Sequence, residues 1–238
     1  MEFQDVLTKR NSTRDFTDQE VSDDLIKTLL ADALKAPSSS NTQSYRVAIA
    51  KGATKDKIAE ALLKKYDKGI EIQRLKGVSK IVKGITSGAL PNGDFKPDIH
   101  YPSEQKKRAI ECGKGLYGVL GIERHDRAAR DAWMRKNFEF FNAPVAMFIF
   151  VHGERAEYSA LDTGMVLQNL MLSATDKGLG TCAQASVAMW GGDVRPFFDI
   201  EDKYKLICGL CLGYPSDDKI NSFQPKKRTV EEICFPVV

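Results

Sequence analysis

Arg10 and Arg14 near one end of the chain, and the run Lys226-Lys227-Arg228 near the other, are the side chains best suited to hold an anion. A guanidinium presents a planar fork that donates paired hydrogen bonds to a phosphate or carboxylate, and a lysine adds a point charge. Read singly, each arginine suits a surface ion pair equally well, and the basic run suits a solvated patch. Other spacings are decoys. Gly113-Lys114-Gly115-Leu116-Tyr117-Gly118 fits the dinucleotide fingerprint, but that motif follows a hydrophobic strand, and here the charged run Gln105-Lys106-Lys107-Arg108 precedes it. Close helix packing is the reading kept for those glycines. Cys208-Gly209-Leu210-Cys211 has redox or zinc spacing. It lies in an apolar, strand-like run, where side chains three apart point to opposite faces, so buried thiols are expected. His100, His125 and His152 form no metal-binding pattern, and neither a G-x-S-x-G elbow nor a P-loop is present. Conventional nucleophilic or metal catalysis is therefore unsupported.

Val21-Ser22-Asp23-Asp24 is a staple residue, an N-cap and an acidic first turn, ahead of the stripe Leu25, Ile26, Leu29, Leu30 and Ala33. Pro37 closes that helix, and the polar loop Ser38–Ser44 leads into a strand over 45–50. Helices are expected from about 54 to 66, 103 to 120 and 126 to 141. Ala143–Val151 is a continuous apolar run, the mark of a central strand covered on both faces. Leu161–Lys177 is apolar almost all round, so a buried helix capped by Gly178 is expected. Residues 181–187 read as extended and 205–212 as a second buried strand, and Thr229-Val230-Glu231-Glu232 carries a capping box for a last short helix. Residues 67–100 show turn chemistry and no sustained period, and are read as a mobile segment or lid. The elements do not alternate regularly, which favours an α+β fold with a mixed or antiparallel sheet over a doubly wound one.

The 238 residues, 42% of them hydrophobic, suffice for the core of one domain. A net charge of +3 with interspersed signs gives no reason to expect nucleic acid. No stretch approaches the about 18 consecutive apolar residues of a membrane span, and no leader pattern is seen, so a cytoplasmic protein with reduced cysteines is expected.

Four segments together resemble the nitroreductase family of flavoproteins. Arg10-Asn11-Ser12-Thr13-Arg14-Asp15-Phe16 is similar to the family's R-x-S-x-R-x-F signature, and Ala36-Pro37-Ser38-Ser39-Ser40-Asn41-Thr42-Gln43 to its P-S-x-x-N-x-Q loop. Asp162–Leu172 with Gly178–Ser186 resembles its interface helix and the segment along the flavin, and Leu210–Pro215 with Lys226–Arg228 resembles its L-G-Y-P and K-x-R elements. Asn137–Pro144 is similar to N-x-x-F-F-x-A-P, with Asn142 where glycine is usual.

The resemblance implies a nitroreductase-like homodimer, intertwined, with FMN at the subunit interface. Its implied contacts are Arg10, Asn11, Ser12 and Arg14 from one subunit, and Pro37, Ser38, Ser39, Asn41 and Gln43 from the other. Gln184, Ala185 and Ser186 would lie along the ring, with a backbone N–H near Ala185 aimed at N5, and Lys226 and Arg228 would meet the phosphate. Arg14 near the pyrimidine side would stabilise the negative charge that reduction leaves there. The implied activity is hydride transfer from NADH or NADPH, through the flavin, to nitroaromatics or quinones in a ping-pong cycle. Reductive dehalogenation within the family, or a non-catalytic flavin-binding or redox-sensing module, are the alternatives.

Overall fold

The computed structural model describes residues 1–96 and 101–235. Its centre is a four-stranded antiparallel sheet of β1 (Tyr45–Lys51), β2 (Val145–His152), β3 (Gly180–Gln184) and β4 (Tyr204–Gly213), in the order β1-β2-β4-β3. Antiparallel pairing throughout agrees with the α+β expectation.

The apolar run in β2 is buried on both sides because each sheet face carries its own core. Ala146, Phe148 and Phe150 point to one face, with Leu206 and Cys211 of β4. They pack under Ile58 and Leu62 of α3 (Gly52–Arg74), Trp133 of α6 (Arg127–Arg135) and the loop aromatics Phe138, Phe140 and Phe141. Val145, Met147 and Ile149 point to the other face, against α2 (Asp23–Ala33) and α7 (Ala156–Asp176). As its sequence predicts, α2 starts with the Ser22 hydroxyl accepting from the Leu25 N–H at 3.2 Å, with Val21 buried beneath. Asp32 then ties α2 to α7, accepting from the Ser173 hydroxyl at 2.7 Å and Lys177 at 3.0 Å. These bonds hold its carboxyl far below the usual carboxylate range. The short α1 (Phe3–Lys9) completes this layer, with the chain's amino group 2.6 Å from Asp176.

Four expectations need correction. Residues 67–96 are structured: α3 runs on to Arg74, α4 spans Gly77–Thr86, and the following strap is pinned down. The Asn92 and Gly93 N–H groups donate to the Met189 carbonyl, each at 3.0 Å, and the Asp94 carboxylate accepts from the Leu206 N–H at 2.7 Å. The helix expected over 126–141 stops at Arg135, where the Lys136, Asn137 and Phe138 N–H groups donate to carbonyls three residues back, and beyond these turns Phe140, Phe141 and Asn142 are all left-handed, with φ of 54°, 52° and 67°. Asparagine tolerates that conformation, which accounts for Asn142 in place of glycine. At the C-terminus the capping box forms, with Thr229 N–H to Glu232 at 2.8 Å, but only a turn follows it. Finally, α7 is buried along one side only, and Leu161 is 63% exposed in the single chain. The remaining long helix, α5 (Ser103–Leu120), matches its expected span.

The strap offers a sharp test. A Cβ at Gly93 would lie 2.0 Å from the Ala188 carbonyl oxygen, and backbone cannot yield as a side chain can. Gly93→Ala is therefore expected to lift the strap off residues 188–189 and to cost about 1–3 kcal/mol, read as a lower denaturation midpoint and faster exchange of the Asn92 amide.

Candidate functional site

Three of the four segments singled out by sequence meet at the free edge of β3. Ser12 forms a parallel bridge with Thr181, and the Thr13 N–H donates to the Thr181 carbonyl at 2.9 Å. The approach is close enough that a Cβ on Gly180 would sit 2.3 Å from the Thr13 hydroxyl, so that glycine is required by space. Arg14 lies near enough to β3 that its charge opposes the upward push of burial on the Cys182 thiol. Its guanidinium donates to the Ser12 carbonyl at 3.2 Å.

Asn221, which the sequence did not single out, locks this segment to the C-terminal loop. Its side-chain oxygen accepts from the Arg14 N–H at 2.8 Å, and its amide donates to the carbonyls of Asp15 and Ser216 at 2.8 and 3.0 Å. Its own carbonyl accepts from the Asn11 amide at 2.6 Å. That loop leads directly to Lys226 and Arg228, exposed beside α5. Among the described residues, Arg10, Arg14, Lys226 and Arg228 have no carboxylate within ion-pair distance. Arg10 and Arg14, on the segment docked to β3, and Lys226 and Arg228, on the chain that Asn221 leads into, are thus free to meet an anionic ligand.

Beyond β3 the chain enters a 3-10 turn over Ala185–Trp190. Ala183 and Ala185 are exposed and small, leaving a flat strip at the edge. The Ser186 hydroxyl is buried with no hydrogen-bond partner, an orphan that a bound polar group would satisfy. Gln184 behaves differently. Its side chain is 2% exposed and turned inward, with its amide donating to the Asn137 carbonyl at 2.6 Å and its oxygen accepting from the Cys211 thiol at 2.9 Å.

The second segment is not with the others. Pro37 is exposed, and Ser38–Gln43 sits before β1, where the Ser39 N–H donates to both carboxylate oxygens of Asp162, at 3.1 and 3.2 Å. Asp162 is a buried carboxylate in an apolar helix, a signal that could have been read from sequence. The loop is held in strain: Ser40, Asn41 and Gln43 have φ of 49°, 56° and 46°, and the Ser38 hydroxyl accepts from the Gln43 N–H at 3.1 Å. The nearby Tyr45 hydroxyl is buried without a partner.

β1 and β3 are opposite edges of the sheet, and Ser38–Gln43 lies at the end marked by Val151, whereas Ser12 and Thr181 lie at the end marked by Val145 and Leu212. Roughly 20 Å along the strands and about 14 Å across them separate these corners. One small ligand cannot touch both within a single chain.

The two β4 cysteines are split as strand alternation predicts. Cys208 packs with the α2–α7 face and Cys211 with the opposite face. Burial pushes the Cys208 thiol up to about 12 and holds the Cys211 thiol well above the usual thiol range, so neither is a nucleophile. The Cys208→Ala/Cys211→Ala double variant is expected to keep its flavin and most of its turnover. Loss of turnover with flavin and fold intact would revive a dithiol role. Among the described residues no group of three metal-ligating side chains occurs, and His100 lies outside them.

The sequence profile of the Nitroreductase family matches residues 7–214. The chain belongs to the nitroreductase family. It is 30% identical to a 4-nitrobenzoate reductase of Pseudomonas putida over 94% of this chain and 90% of the relative. It is also 30% identical to a nitrobenzene nitroreductase of Ectopseudomonas oleovorans, over 96% and 93% of the two chains. The crystal structure of the FMN and NADPH-dependent nitroreductase NfnB from Sphigopyxis sp. strain HMH superposes with a TM-score of 0.85 at 26% identity, covering both chains completely. No helix among the described residues of this family member is long and apolar enough to cross a membrane.

Proposed function

We propose that this chain is an FMN-dependent NAD(P)H oxidoreductase acting on nitroaromatic compounds and related electron-poor acceptors such as quinones, as a homodimer with the cofactor between subunits. The observation that carries the reading is the Arg10–Arg14 segment docked, through Ser12, Thr13 and Asn221, against the free edge of β3, with neither arginine paired to a carboxylate among the described residues. The names of its relatives, nitroaromatic reductases of comparable length, support it and weigh against a dehalogenase.

Bound FMN would supply the redox chemistry, taking a hydride from NAD(P)H and passing electrons to the acceptor. The chain's own residues bind and orient. Arg10 and Arg228 are the forks for the phosphate dianion, with Lys226 as a point charge beside it. Arg14, its main chain fixed by Asn221, would place positive charge at the pyrimidine side of the ring. Ser12, with Asn11 beside it, would flank the chain between phosphate and ring, the orphan Ser186 hydroxyl would take a polar ring atom, and the N–H near Ala185 would face N5. Gln184 would act through its main chain, since its side chain is committed to the core. Pro37, Ser38, Ser39, Asn41 and Gln43 would serve the partner's cofactor. Both core clusters share one sheet, which supports a single domain.

Heat-released cofactor is expected to have the mass of FMN, and FAD or no flavin after reconstitution would overturn the reading. If one opening serves donor and acceptor in turn, initial-rate plots against NAD(P)H at several fixed nitroaromatic or quinone concentrations give parallel lines. Intersecting lines would require a ternary complex instead. Absent turnover with flavin bound would favour a sensing module.

A further inference from the structure

We propose that a cavity on the outer side of α5 binds a planar aromatic anion, at a site separate from the flavin site and independent of that reading. Two sides of α5 face two different spaces. Arg108, Glu111, Cys112 and Gly115 face the Phe223–Arg228 segment, whereas Lys106, Ile110, Gly113, Lys114 and Tyr117 line a second cavity of about 770 Å³. The two stripes are offset by two residues, roughly 200° around the helix.

This second cavity explains what the decoy glycine motif does. Only Gly115 serves close packing, since a Cβ there would lie 2.8 Å from the Phe223 ring. A Cβ at Gly113 or Gly118 would meet nothing within 4 Å, so both leave bare backbone as a flat floor. Tyr101 and Tyr117 add aromatic wall, and the volume lies in the range of small-molecule sites. Lys106, Lys114, Arg124 and Arg130 border it against one acid, Glu123. Arg130 is already fixed, 5.0 Å over the Tyr117 ring and donating to the Arg124 carbonyl at 3.2 Å. A flat ring fits the glycine floor, and negative charge on it would be met by Lys106, Lys114 and Arg124. An aromatic carboxylate or the phosphorylated adenosine of a nucleotide would supply that chemistry.

The test is calorimetric titration of the full chain, saturated with FMN, with 4-aminobenzoate and with adenosine 2′,5′-bisphosphate, each against its uncharged counterpart, 4-aminobenzamide or adenosine. At least one anion is expected to bind about tenfold or more tightly than its neutral counterpart, and the Lys114→Gln/Arg124→Gln variant to lose about tenfold of that affinity. Gly118→Leu, which fills the floor, is expected to abolish binding. Flavin content is recorded on the same samples, so failure of the flavin reading registers separately. Equal binding of charged and neutral compounds, no binding of either anion, or affinity unchanged by the Lys114 and Arg124 substitutions would overturn the proposal. The last result would place the ligand elsewhere, as at the flavin site.

Discussion

Asn221→Ala is expected to weaken FMN binding about a hundredfold while leaving the sheet folded. The substitution keeps the main-chain carbonyl that accepts from Asn11 but deletes three side-chain bonds, stranding the Arg14 N–H and the carbonyls of Asp15 and Ser216. At about 1 kcal/mol for each partly buried bond, roughly 3 kcal/mol of local order is lost, close to a hundredfold in affinity if that order is needed to hold Arg10–Arg14 against β3. Asn221→Asp keeps the acceptor for Arg14 and loses only the donor, so it should fall between the two. Fluorescence titration of apoprotein with FMN measures all three proteins. Wild-type affinity in the alanine variant would show that the Asn221 junction does not organise the cofactor site.

The difference between Asn221 and Arg14 marks what could be read in the sequence. Arg14 stands in a motif whose spacing suggests anion binding, and β2 announces its central place by seven consecutive apolar residues, Val145–Val151. The alternation that separates Cys208 from Cys211 is likewise local geometry. Asn221 carries no such mark, since all of its partners but Ser216 are more than two hundred residues away, in Asn11, Arg14 and Asp15. The strap at Asn92–Asp94 escaped for the same reason, because its order comes from Met189 and Leu206, not from any periodicity of its own. The early end of α6 was hidden because the chain tightens into turns after Arg135 and three non-glycine residues beyond them, Phe140–Asn142, are left-handed, neither of which composition announces. Gln184 sat in a matching motif, yet its side chain found Asn137 and Cys211 in the core.

Assembly should carry the other large effect. In α7, Leu161 is 63% exposed, and Met165, Gln168 and Leu172 continue the same stripe at helical spacing, with Met165 and Leu172 only half-buried. Phe3 and Leu7 of α1, a helix joined to the end of α7 through the amino-terminal bond to Asp176, add exposures of 63% and 40%. Apolar surface of this kind calls for a partner, and the Ser38–Gln43 loop is moored to this same helix by Asp162, a corner of the sheet away from Arg10 and Arg14. If a second copy covers α7 and brings its own loop to the first copy's β3 edge, as the proposed dimer requires, dimerisation and flavin retention are linked. Leu161→Arg would bury an unpaired charge in that contact at a cost of several kcal/mol, raising the dimer dissociation constant more than about a hundredfold. Sedimentation velocity across a dilution series, with flavin absorbance recorded in the same cells, should show wild-type dimers with one flavin per chain and a Leu161→Arg monomer stripped of it. A variant that stays dimeric, or a monomer that holds its flavin, would place the cofactor within one chain and leave the second loop without its assigned role.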